Sequence, residues 1–344
     1  MPGRIAYLAR GNGFGHAARA LPVIDALNRL DPAVEVRLAS AGTGAEYLRM
    51  RGRGHDDLGF PDEDDHDQDA TAKLHAYLAS MPELDLVVCD ELLRVPALCD
   101  LIGVPCVFVS CFLGTDPGQD PRQDIMLMGA RRIVIPDWPE LHSVPPFLDQ
   151  VEFLGPIVQP IAMSRAAARQ ELGIGDSFVG AVSLGGLTAN RLTYQRELLR
   201  TALALWEQNA PSDGALYVLC GSAVAAAELG IRSDDARVRW IGYESSQDPD
   251  LYLRSADVVF PSPGSAMLKV ARSGIPAVVL REPNWPVGRQ HVQHLAGRSS
   301  VHVGWNGDAW TTVTDAGVAP TSEGLWWGEP SDLAKVILAE LPRG

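Results

Sequence analysis

ADVVFPSPGSAMLKVARSGIPAVVL, residues 256–280, is the stretch of the sequence that decides the fold. The apolar run at 258–260 predicts a short buried strand, and the small residues at 261–265 predict a loop after it. Apolar residues at helical spacing follow, Gly274 marks a helix end, and another apolar run begins at Ala277. This is a βαβ unit whose loop and helix N-terminus offer backbone N–H groups to an anion. Taken alone, the pattern favours an ordinary βαβ unit with a glycine-containing turn over an anion site.

The same alternation of strands and helices runs through both halves of the chain. Further strands are predicted at residues 5–8, 34–39, 84–89, 104–109, 178–184, 216–220 and 238–241. Further helices are predicted at residues 16–30, 92–102, 197–206 and 331–341. Short apolar strands separated by helices are typical of parallel sheets covered on both faces. We therefore predict an α/β protein with two doubly wound, Rossmann-like domains that face a central cleft, where ligands collect at the carboxyl ends of the strands.

A proline-rich segment separates the two halves. Residues 153–160, FLGPIVQP, are the predicted hinge, so we place the N-terminal domain at 1–155 and the C-terminal domain at 161–328. Residues 329–344 are expected to form a helix that closes the chain. Within the first predicted helix, Pro22 implies either a kink or a later start.

Composition and charge disfavour several kinds of partner. The 344 residues include 29 Lys and Arg against 43 Asp and Glu, and this net charge of −14 disfavours nucleic acid and anionic membrane surfaces. We expect no membrane span and no signal peptide, because the apolar runs are too short for either. The 5 cysteines lie mostly in apolar runs without CxxC spacing, which is typical of buried thiols in a reducing compartment. We therefore expect a cytoplasmic enzyme.

The loop after the first strand contains GNGFGH, residues 11–16. Its third glycine comes one residue too early for the GxGxxG pattern, and no acidic residue clearly follows about 20 residues later, so a nicotinamide site is disfavoured. The glycines still allow a ligand to approach the backbone closely. His16 stands where the helix begins, and the sequence leaves open whether its role is structural or catalytic.

Asp90 comes directly after the strand predicted at 84–89, and it lies beside the glycine loop if the two strands are neighbours. Its carboxylate could accept a hydrogen bond from one ring nitrogen of His16, fix the tautomer and leave the other nitrogen as a general base. Capping of the helix predicted from Leu92 explains an aspartate at this position equally well.

A second polar cluster, NWPVGRQH at residues 284–291, follows the strand predicted after Pro276. Arg289, Gln290 and the ring of Trp285 suit sugar hydroxyls and phosphates. A solvated loop is the alternative explanation of this cluster.

The acidic run at residues 56–69 contains Asp62-Glu63-Asp64, which has the DxD form of a metal-binding motif. It lies in a long polar connection without a flanking strand, so we interpret it as a mobile loop and expect no metal there. Such a loop could attract a cationic acceptor, and salt would then weaken the attraction.

In this order and spacing the motifs resemble those of the GT-B nucleotide-sugar glycosyltransferases, and the resemblance spans nearly the whole chain. These include the small-molecule enzymes of plants and of antibiotic biosynthesis and the peptidoglycan GlcNAc transferase. GNGFGH resembles their N-terminal glycine loop, LVVCD the strand whose aspartate orients the histidine, and FLGPI at 153–157 the interdomain linker. Residues 256–276 resemble the donor diphosphate loop and helix, and Gly288-Arg289-Gln290 resembles the motif that holds the donor sugar.

The resemblance implies that His16 deprotonates the acceptor and that Asp90 assists it. The donor would be held by Gly185, Gly186, Trp240, Ile241, Tyr243, Ser262, Gly264, Ser265, Lys269, Arg289 and Gln290. The acceptor would be held by Asn12, Phe14 and Gly15. Backbone N–H groups around residues 262–265 would carry the charge of the leaving diphosphate, so no metal and no cofactor beyond the nucleotide sugar is expected. Attack opposite the leaving group would invert the anomeric centre.

Lys269 departs from the family pattern. The family often has a glutamate there that binds both ribose hydroxyls, whereas a lysine cannot accept hydrogen bonds from them. Three explanations stay open: a solvent-facing helix residue, a 2′-deoxyribose donor such as a dTDP-sugar, or an added phosphate contact. Residue 289 is Arg, as in the peptidoglycan enzyme, where the plant enzymes usually have Asp.

We therefore expect an inverting, metal-independent glycosyltransferase that moves a sugar from a UDP- or dTDP-type donor to a small natural product, with the new bond to O, N or S. A nucleotide-sugar epimerase on the same fold is the first alternative, because it would alter the sugar nucleotide without an acceptor. A non-catalytic, transferase-like protein that binds a partner is the second alternative, and Lys269 motivates it.

Overall fold

The chain divides into two compact units, and its last segment returns to the first of them. The structure is a computed structural model that describes residues 3–62, 67–111, 126–221, 227–242, 248–305, 308–315 and 324–342. Unit 1 comprises Met1–Val158 together with Trp326–Gly344, and unit 2 comprises Gln159–Leu325.

Unit 1 is built on a parallel sheet of seven strands in the order β3-β2-β1-β4-β5-β6-β7. The strands are β1 Arg4–Ala9, β2 Glu35–Ser40, β3 Asp56–Asp57, β4 Leu86–Asp90, β5 Cys106–Val109, β6 Arg132–Ile135 and β7 Val151–Phe153. The first four helices of the unit are α1 Gly15–Leu30, α2 Gly42–Met50, α3 Gln68–Ala79 and α4 Val95–Ile102. Two 3₁₀ turns lie at Leu127–Gly129 and Pro139–Leu141.

Alternate residues of β1 enter two different hydrophobic cores, which is why the strand is apolar nearly throughout. Ile5 and Tyr7 join the core that contains α1, whereas Ala6 and Leu8 join the core that contains α3 and α4. The neighbouring strand β4 is buried at every position. Because both faces of the sheet are covered, the sheet is doubly wound, as the sequence predicted. Only the ends of its strands are open to loops that can carry a site.

Unit 2 contains a second parallel sheet, of six strands in the order β10-β9-β8-β11-β12-β13. The strands are β8 Val179–Ser183, β9 Ala215–Leu219, β10 Val238–Ile241, β11 Val258–Pro261, β12 Ala277–Val279 and β13 Val301–Val303. The helices are α5 Arg165–Glu171, α6 Ala189–Asn209, α7 Pro249–Ser255, α8 Ser265–Arg272, α9 Pro286–Leu295 and α10 Ala309–Asp315. The deciding stretch supplies β11, α8 and β12, and β11 lies beside β8 near the middle of the sheet. Two parallel sheets with helices between their strands confirm the predicted α/β class.

The last helix, α11 Pro330–Glu340, belongs to unit 1 although it ends the chain. Leu333 and Ile337 are buried in the core that contains α1. Glu340 pairs with Arg131, which precedes β6, at 2.7 Å. The boundary between the units falls at Leu325/Trp326, a few residues before the boundary that the sequence suggested.

The structure decides two questions about helix starts that the sequence left open. Pro22 lies inside α1, which begins at Gly15, so the helix does not start late. The polar cluster at 284–291 is a loop only at first, because α9 begins at Pro286, a residue suited to a first helical turn since its missing N–H is not needed there. Within the described ranges, every helix is too short or too polar to cross a lipid bilayer.

The acidic run is not one continuous loop. Its first residues form β3, and the Asp67 side chain caps α3 by accepting from Ala70 N at 2.6 Å. Asp69 pairs with Lys73 along α3 at 2.7 Å. Several charges of the run are therefore balanced locally, and attraction of a cationic acceptor stays a prediction.

Candidate active site

The carboxyl ends of β1 and β4 lie side by side in unit 1. Ala9 is paired with Asp90 in the register of the two strands, and Arg10 N donates to Asp90 O at 3.0 Å. The glycine loop leaves β1 at this point and leads into α1, of which His16 is the second residue. Strand order therefore brings His16 and Asp90 together across 74 positions of sequence.

His16 and Asp90 form the hydrogen bond that was one of the two explanations of Asp90 and that the family resemblance implied, with Nδ1 2.8 Å from Oδ1. Burial alone would raise the pKa of Asp90, but the charges of Arg19 and His16 and their hydrogen bonds lower it below its ordinary value. An ionised carboxylate needs the proton on Nδ1, so the neutral ring has its lone pair on Nε2. Asp90 does not cap the next helix, which begins only at Val95.

Arg19 also belongs to this group, although the sequence pattern did not single it out. Its Nε donates to Asp90 Oδ2 at 3.0 Å and its Nη2 donates to Oδ1 at 2.6 Å, so the guanidinium binds both carboxylate oxygens. Burial alone would lower the pKa of Arg19, but the charge of Asp90 raises it well above its ordinary value. The signal in the sequence was spacing, because residues three apart on a helix share a face and His16 lies three before Arg19.

Glu91, directly after β4, is a second residue that the sequence pattern did not reveal. Among the described residues it is the one non-glycine with a positive φ, 64°, a conformation that costs a residue with a side chain free energy. Its side chain is 2% exposed, and Oε1 accepts from Cys111 N at 2.8 Å. Oε2 has no hydrogen-bond partner in the described part of the chain and lies 3.6 Å from His16 Nε2 and 3.7 Å from Arg10 Nη1.

The glycine loop is held by the start of α2. Gly13 N donates to Thr43 Oγ1 at 2.7 Å, and the same hydroxyl contacts Gly11 O. Asp62 completes the attachment, with its Oδ2 2.7 Å from Thr43 Oγ1 and its Oδ1 accepting from Thr43 N at 3.0 Å. The first acid of the DxD sequence therefore supports the loop. Its other two residues, 63 and 64, lie outside the described residues.

Phe14, predicted to contact the acceptor, is mainly a packing residue. Its ring is 8% exposed and lies 5.2 Å from the ring of Tyr47, so it offers little surface to a ligand. Gly15 opens α1, and Asn12 is half-buried in the loop. Contact of Asn12, Phe14 and Gly15 with an acceptor stays a prediction.

His16, Asp90 and Glu91 each place one potential metal ligand within 4.8 Å of the others. Two guanidinium groups compete with a metal, because Arg19 binds both oxygens of Asp90 and Arg10 faces Glu91. With two arginines already balancing two carboxylates, a divalent cation would bring uncompensated positive charge. The group fits an arginine-neutralised acid–base pair better than a metal centre.

In unit 2 the carboxyl ends of β8 and β11 are neighbours, with Ser183 paired to Pro261. Ser262 N donates to Ser183 O at 2.8 Å, so this amide, predicted to bind the diphosphate, already has an acceptor. Gly264 is the N-cap of α8, and no side chain caps the helix there. In the described part of the chain, the N–H groups of the first turn, from Ser265 onward, therefore have no acceptor in the side chain of their N-cap residue.

Arg191 approaches the start of α8, where the backbone of Gly264 is otherwise open. A Cβ built on Gly264 would meet only Arg191 Nη1, at 3.9 Å, and one built on Gly185 would meet nothing within 4 Å. The Arg191 guanidinium lies over the Trp285 ring, 4.8 Å from its centroid. An uncapped helix start beside a guanidinium suits a phosphate. The sequence pattern did not identify Arg191, which lies in the first turn of α6.

Lys269 is committed to an ion pair. Its Nζ lies 2.6 Å from each carboxylate oxygen of Asp250, in the first turn of α7. The two side chains are 29% and 25% exposed, respectively. Lys269 is thus a partly exposed helix residue with an ion-pair partner, and all three explanations stay open.

The remaining residues predicted to bind the donor are spread over several elements of unit 2. Trp240 and Ile241 are half-buried in β10, which is separated from β8 by one strand. Arg289 is exposed on α9 and its Nε pairs with Glu282 at 3.2 Å. Gln290 follows Arg289 in α9. Gly186, after β8, accepts a hydrogen bond at its carbonyl oxygen from Gln195 Nε2 at 3.1 Å. Tyr243 lies outside the described residues.

Comparison of the sequence with family models and with curated proteins identifies no relative. No protein-family model matches the chain, and no curated protein sequence matches it. Any likeness must therefore be read from the structure.

Solved structures match over almost the whole chain. The glycosyltransferase of kitacinnamycin matches with a TM-score of 0.62 at 19% identity, covering 99% of this chain and 100% of that one. Spinosyn rhamnosyltransferase SpnG, in complex with thymidine diphosphate, matches with a TM-score of 0.66 at 15% identity, covering 97% and 100%. UDP-GlcNAc 2-epimerase from Methanocaldococcus jannaschii matches with a TM-score of 0.62 at 10% identity, covering 98% and 99%. Identities this low establish the fold and no more. The two Rossmann-like units and these matches together show that the chain has the GT-B fold of the nucleotide-sugar glycosyltransferases.

Proposed function

We propose that this protein is an inverting, metal-independent glycosyltransferase that moves a sugar from a nucleoside diphosphate to a small-molecule acceptor. The observation that carries the proposal is the 2.8 Å hydrogen bond between His16 Nδ1 and Asp90 Oδ1 at the carboxyl edge of the unit 1 sheet. An imidazole fixed through one nitrogen can act as a general base through the other. Structures of this fold in complex with thymidine diphosphate and with spinosyn aglycone support a nucleotide donor and a small acceptor.

The proposed chemical step follows from the hydrogen bond that fixes the tautomer of His16. A lone pair of the acceptor atom attacks the anomeric carbon, the bond from that carbon to the diphosphate oxygen breaks, and its electron pair leaves with the diphosphate. The proton of the acceptor passes to His16 Nε2, and Asp90 stabilises the imidazolium that forms. Attack opposite the leaving group inverts the anomeric centre. An acceptor O, N or S atom can take part in this step.

The donor is assigned to unit 2. The uncapped start of α8 at Gly264 and Ser265 supplies N–H groups, and the guanidinium of Arg191 lies beside it. These donors would stabilise the charge that develops on the leaving diphosphate. They would take the role that a metal ion has in other transferases, and in unit 1 the guanidinium of Arg19 already occupies both oxygens of Asp90.

Nucleotide binding is the direct test. Purified protein is heated with UDP, dTDP and GDP, each with magnesium and each with EDTA, and the thermal unfolding midpoint is recorded. We expect at least one nucleotide to raise the midpoint equally in both buffers, because a ligand that binds only the folded state stabilises it. Absence of protection by all three contradicts the proposal, and protection lost in EDTA contradicts its metal-independent part.

A nucleotide-sugar epimerase is the second candidate, because a protein described as a putative UDP-N-acetylglucosamine 2-epimerase from Listeria monocytogenes matches with a TM-score of 0.64. An epimerase alters its sugar nucleotide when no acceptor is present. NMR of the sugar ring after incubation with protein alone separates the two, since a transferase leaves the stereochemistry of the free donor unchanged. The non-catalytic alternative stays open, because the ion pair of Lys269 with Asp250 does not supply the hydrogen-bond acceptor that the family's glutamate offers to ribose.

A further inference from the structure

We propose that Glu91 is a positioning residue for His16, whose imidazolium it holds from the Nε2 side while Asp90 holds it from the Nδ1 side. This role rests on the proposed function, in which His16 is the base, and it adds a carboxylate that the sequence motifs do not include. Each ring nitrogen of His16 then faces one carboxylate oxygen. Asp90 Oδ1 lies 2.8 Å from Nδ1, and Glu91 Oε2 lies 3.6 Å from Nε2.

Glu91 bears two costs that a different residue would avoid. Glycine or asparagine adopts a φ of 64° more readily, and a neutral side chain would leave no buried carboxylate oxygen without a hydrogen bond. Neither cost is recovered by the bond from Cys111 N to Oε1, since Oε2 takes no part in it. The nitrogen that Oε2 faces, His16 Nε2, supplies the missing reason.

The contact changes character when the base takes a proton. In the neutral ring Nε2 and Oε2 are both acceptors, and their separation of 3.6 Å is too long for a hydrogen bond. Once Nε2 carries the proton of the acceptor, it becomes a cationic donor opposite a carboxylate. Closing the gap by about 0.8 Å then forms a charge-assisted hydrogen bond. Glu91 therefore favours the state of His16 that exists after the proton transfer.

The neighbouring groups leave this role to Glu91. Arg19 binds both oxygens of Asp90 and so offsets part of the charge with which Asp90 stabilises the imidazolium. Arg10 Nη1 is 3.7 Å from Glu91 Oε2, beyond hydrogen-bond distance, and compensates that charge less. Two titratable neighbours stay neutral, because burial raises the pKa values of Tyr7 and Cys111. The less compensated carboxylate thus faces the nitrogen that takes the proton.

A spectroscopic experiment tests the contact without any substrate. Protein with ¹⁵N-labelled histidine is titrated to the lowest pH at which the fold is intact by circular dichroism, and the His16 signal is identified by its loss in His16→Gln. We expect a downfield, exchange-protected Nε2–H resonance in the wild type and its loss in Glu91→Gln. Glutamine keeps the size of the side chain and can still accept from Cys111 N. An unchanged His16 resonance in Glu91→Gln overturns the proposal.

Two further variants make this result specific. Glu83→Gln is the matched control, because Glu83 is 69% exposed on the same unit, and its His16 resonance should equal that of the wild type. Glu91→Asp serves where the glutamine variant fails to fold, since aspartate tolerates a positive φ better and withdraws the carboxylate by one methylene. We expect the protected resonance to be lost there too, and its retention would contradict the proposal.

Kinetics provide the second readout once a donor and an acceptor are known. In Glu91→Gln we expect kcat to fall roughly tenfold while the donor KM stays unchanged. The acid limb of the pH–rate profile should move to lower pH, because the imidazolium loses an anionic neighbour. A variant with the wild-type kcat and profile overturns the role of Glu91. If the wild type transfers no sugar, the proposed function fails, and the resonance of His16 still decides the question of Glu91.

Discussion

The two candidate sites use different kinds of chemical group. The site in unit 1 consists of buried and partly buried charged side chains, with His16 between Asp90 and Glu91 and two arginines around them. The site in unit 2 consists of glycines, an uncapped helix start and a partly exposed ion pair. A proton acceptor needs a defined protonation state, which burial and pairing supply. A polyanion needs donors that keep their protons at every pH, and backbone N–H groups supply those.

Because the two sites differ in this way, we expect substitutions in each unit to impair a different property of the protein. Substitutions in unit 1 should reduce turnover and leave nucleotide binding intact, whereas substitutions in unit 2 should weaken nucleotide binding. A single variant that lost turnover and nucleotide binding to the same extent would contradict this division between the sites.

His16→Ala has the largest expected effect, because it removes the proposed base. We expect kcat to fall by roughly 10²–10⁴-fold, the range for loss of a general base, with the nucleotide-induced rise in the unfolding midpoint unchanged. Turnover and thermal shift are measured on the same preparation, with His75→Ala, an exposed histidine of α3, as the control. Loss of the thermal shift in His16→Ala would contradict a base that is separate from the donor site.

Asp90→Asn should lower stability through the arginine that it leaves unpaired. Breaking a buried ion pair costs roughly 3–5 kcal/mol, so we expect this loss in the free energy of unfolding near neutral pH. Because the pKa of Asp90 is lowered in the folded state, its contribution is present above the unfolded pKa and is lost as the pH falls through the folded one.

The pH dependence provides the check on Asp90. Urea unfolding at neutral pH and in acid should show a difference between wild type and Asp90→Asn that shrinks as the pH falls below about 4. Asp100→Asn, on the exposed side of α4, should show no such difference at either pH. A constant gap at all pH values would argue against an ionised, arginine-bound Asp90.

Gly264→Ala should weaken nucleotide binding in unit 2 without removing the base. The φ of 156° at this position strains any residue with a Cβ, and the added methyl group would enter the space beside Arg191. We expect a dissociation constant roughly tenfold higher, a loss of about 1.4 kcal/mol, by titration calorimetry with the preferred nucleotide. Gly175→Ala is the control, because a Cβ there meets nothing within 4 Å. Unchanged affinity in Gly264→Ala would remove the start of α8 from the donor site.

Substitution of the Lys269–Asp250 ion pair should have the smallest effect, and this effect should be on the free energy of unfolding. A double-mutant cycle with Lys269→Met and Asp250→Asn should give a coupling of about 0.5 kcal/mol in the free energy of unfolding, as partly exposed ion pairs do. The coupling should decrease in concentrated salt, because ions screen exposed charges. A coupling several times larger and independent of salt would mean that this pair resembles the buried pairs of unit 1.

The fold followed from the sequence more completely than the site did. The run at 256–280 predicted a strand, a loop, a helix and a strand, and all four are present as β11, the turn before α8, α8 and β12. The hydrogen bond between His16 and Asp90 was also expected, because a histidine and an aspartate each followed a predicted strand. The role of Ser262 was mistaken in part, because pairing of β8 with β11 gives its amide an acceptor in Ser183 O.

Three residues of the sites escaped the sequence patterns for physical reasons. Arg19 looks like any polar residue on a helix until β4 brings a carboxylate to it. Glu91 follows a strand, where a charged residue is ordinary, and only its positive φ turns the side chain into the interior. Arg191 reaches the start of α8 from another helix, α6.

By itself the sequence determined the α/β class, the order of strands and helices and the two loops where chemistry was to be sought, because strand and helix periods and turn residues are local properties of the chain. Only the tertiary structure decided which charges meet. Asp90, Glu91, Arg19 and His16 form one group because β1 and β4 are neighbours in the sheet. The pairing of buried charges depends on distances of a few ångströms between distant parts of the chain, and no local pattern encodes those distances.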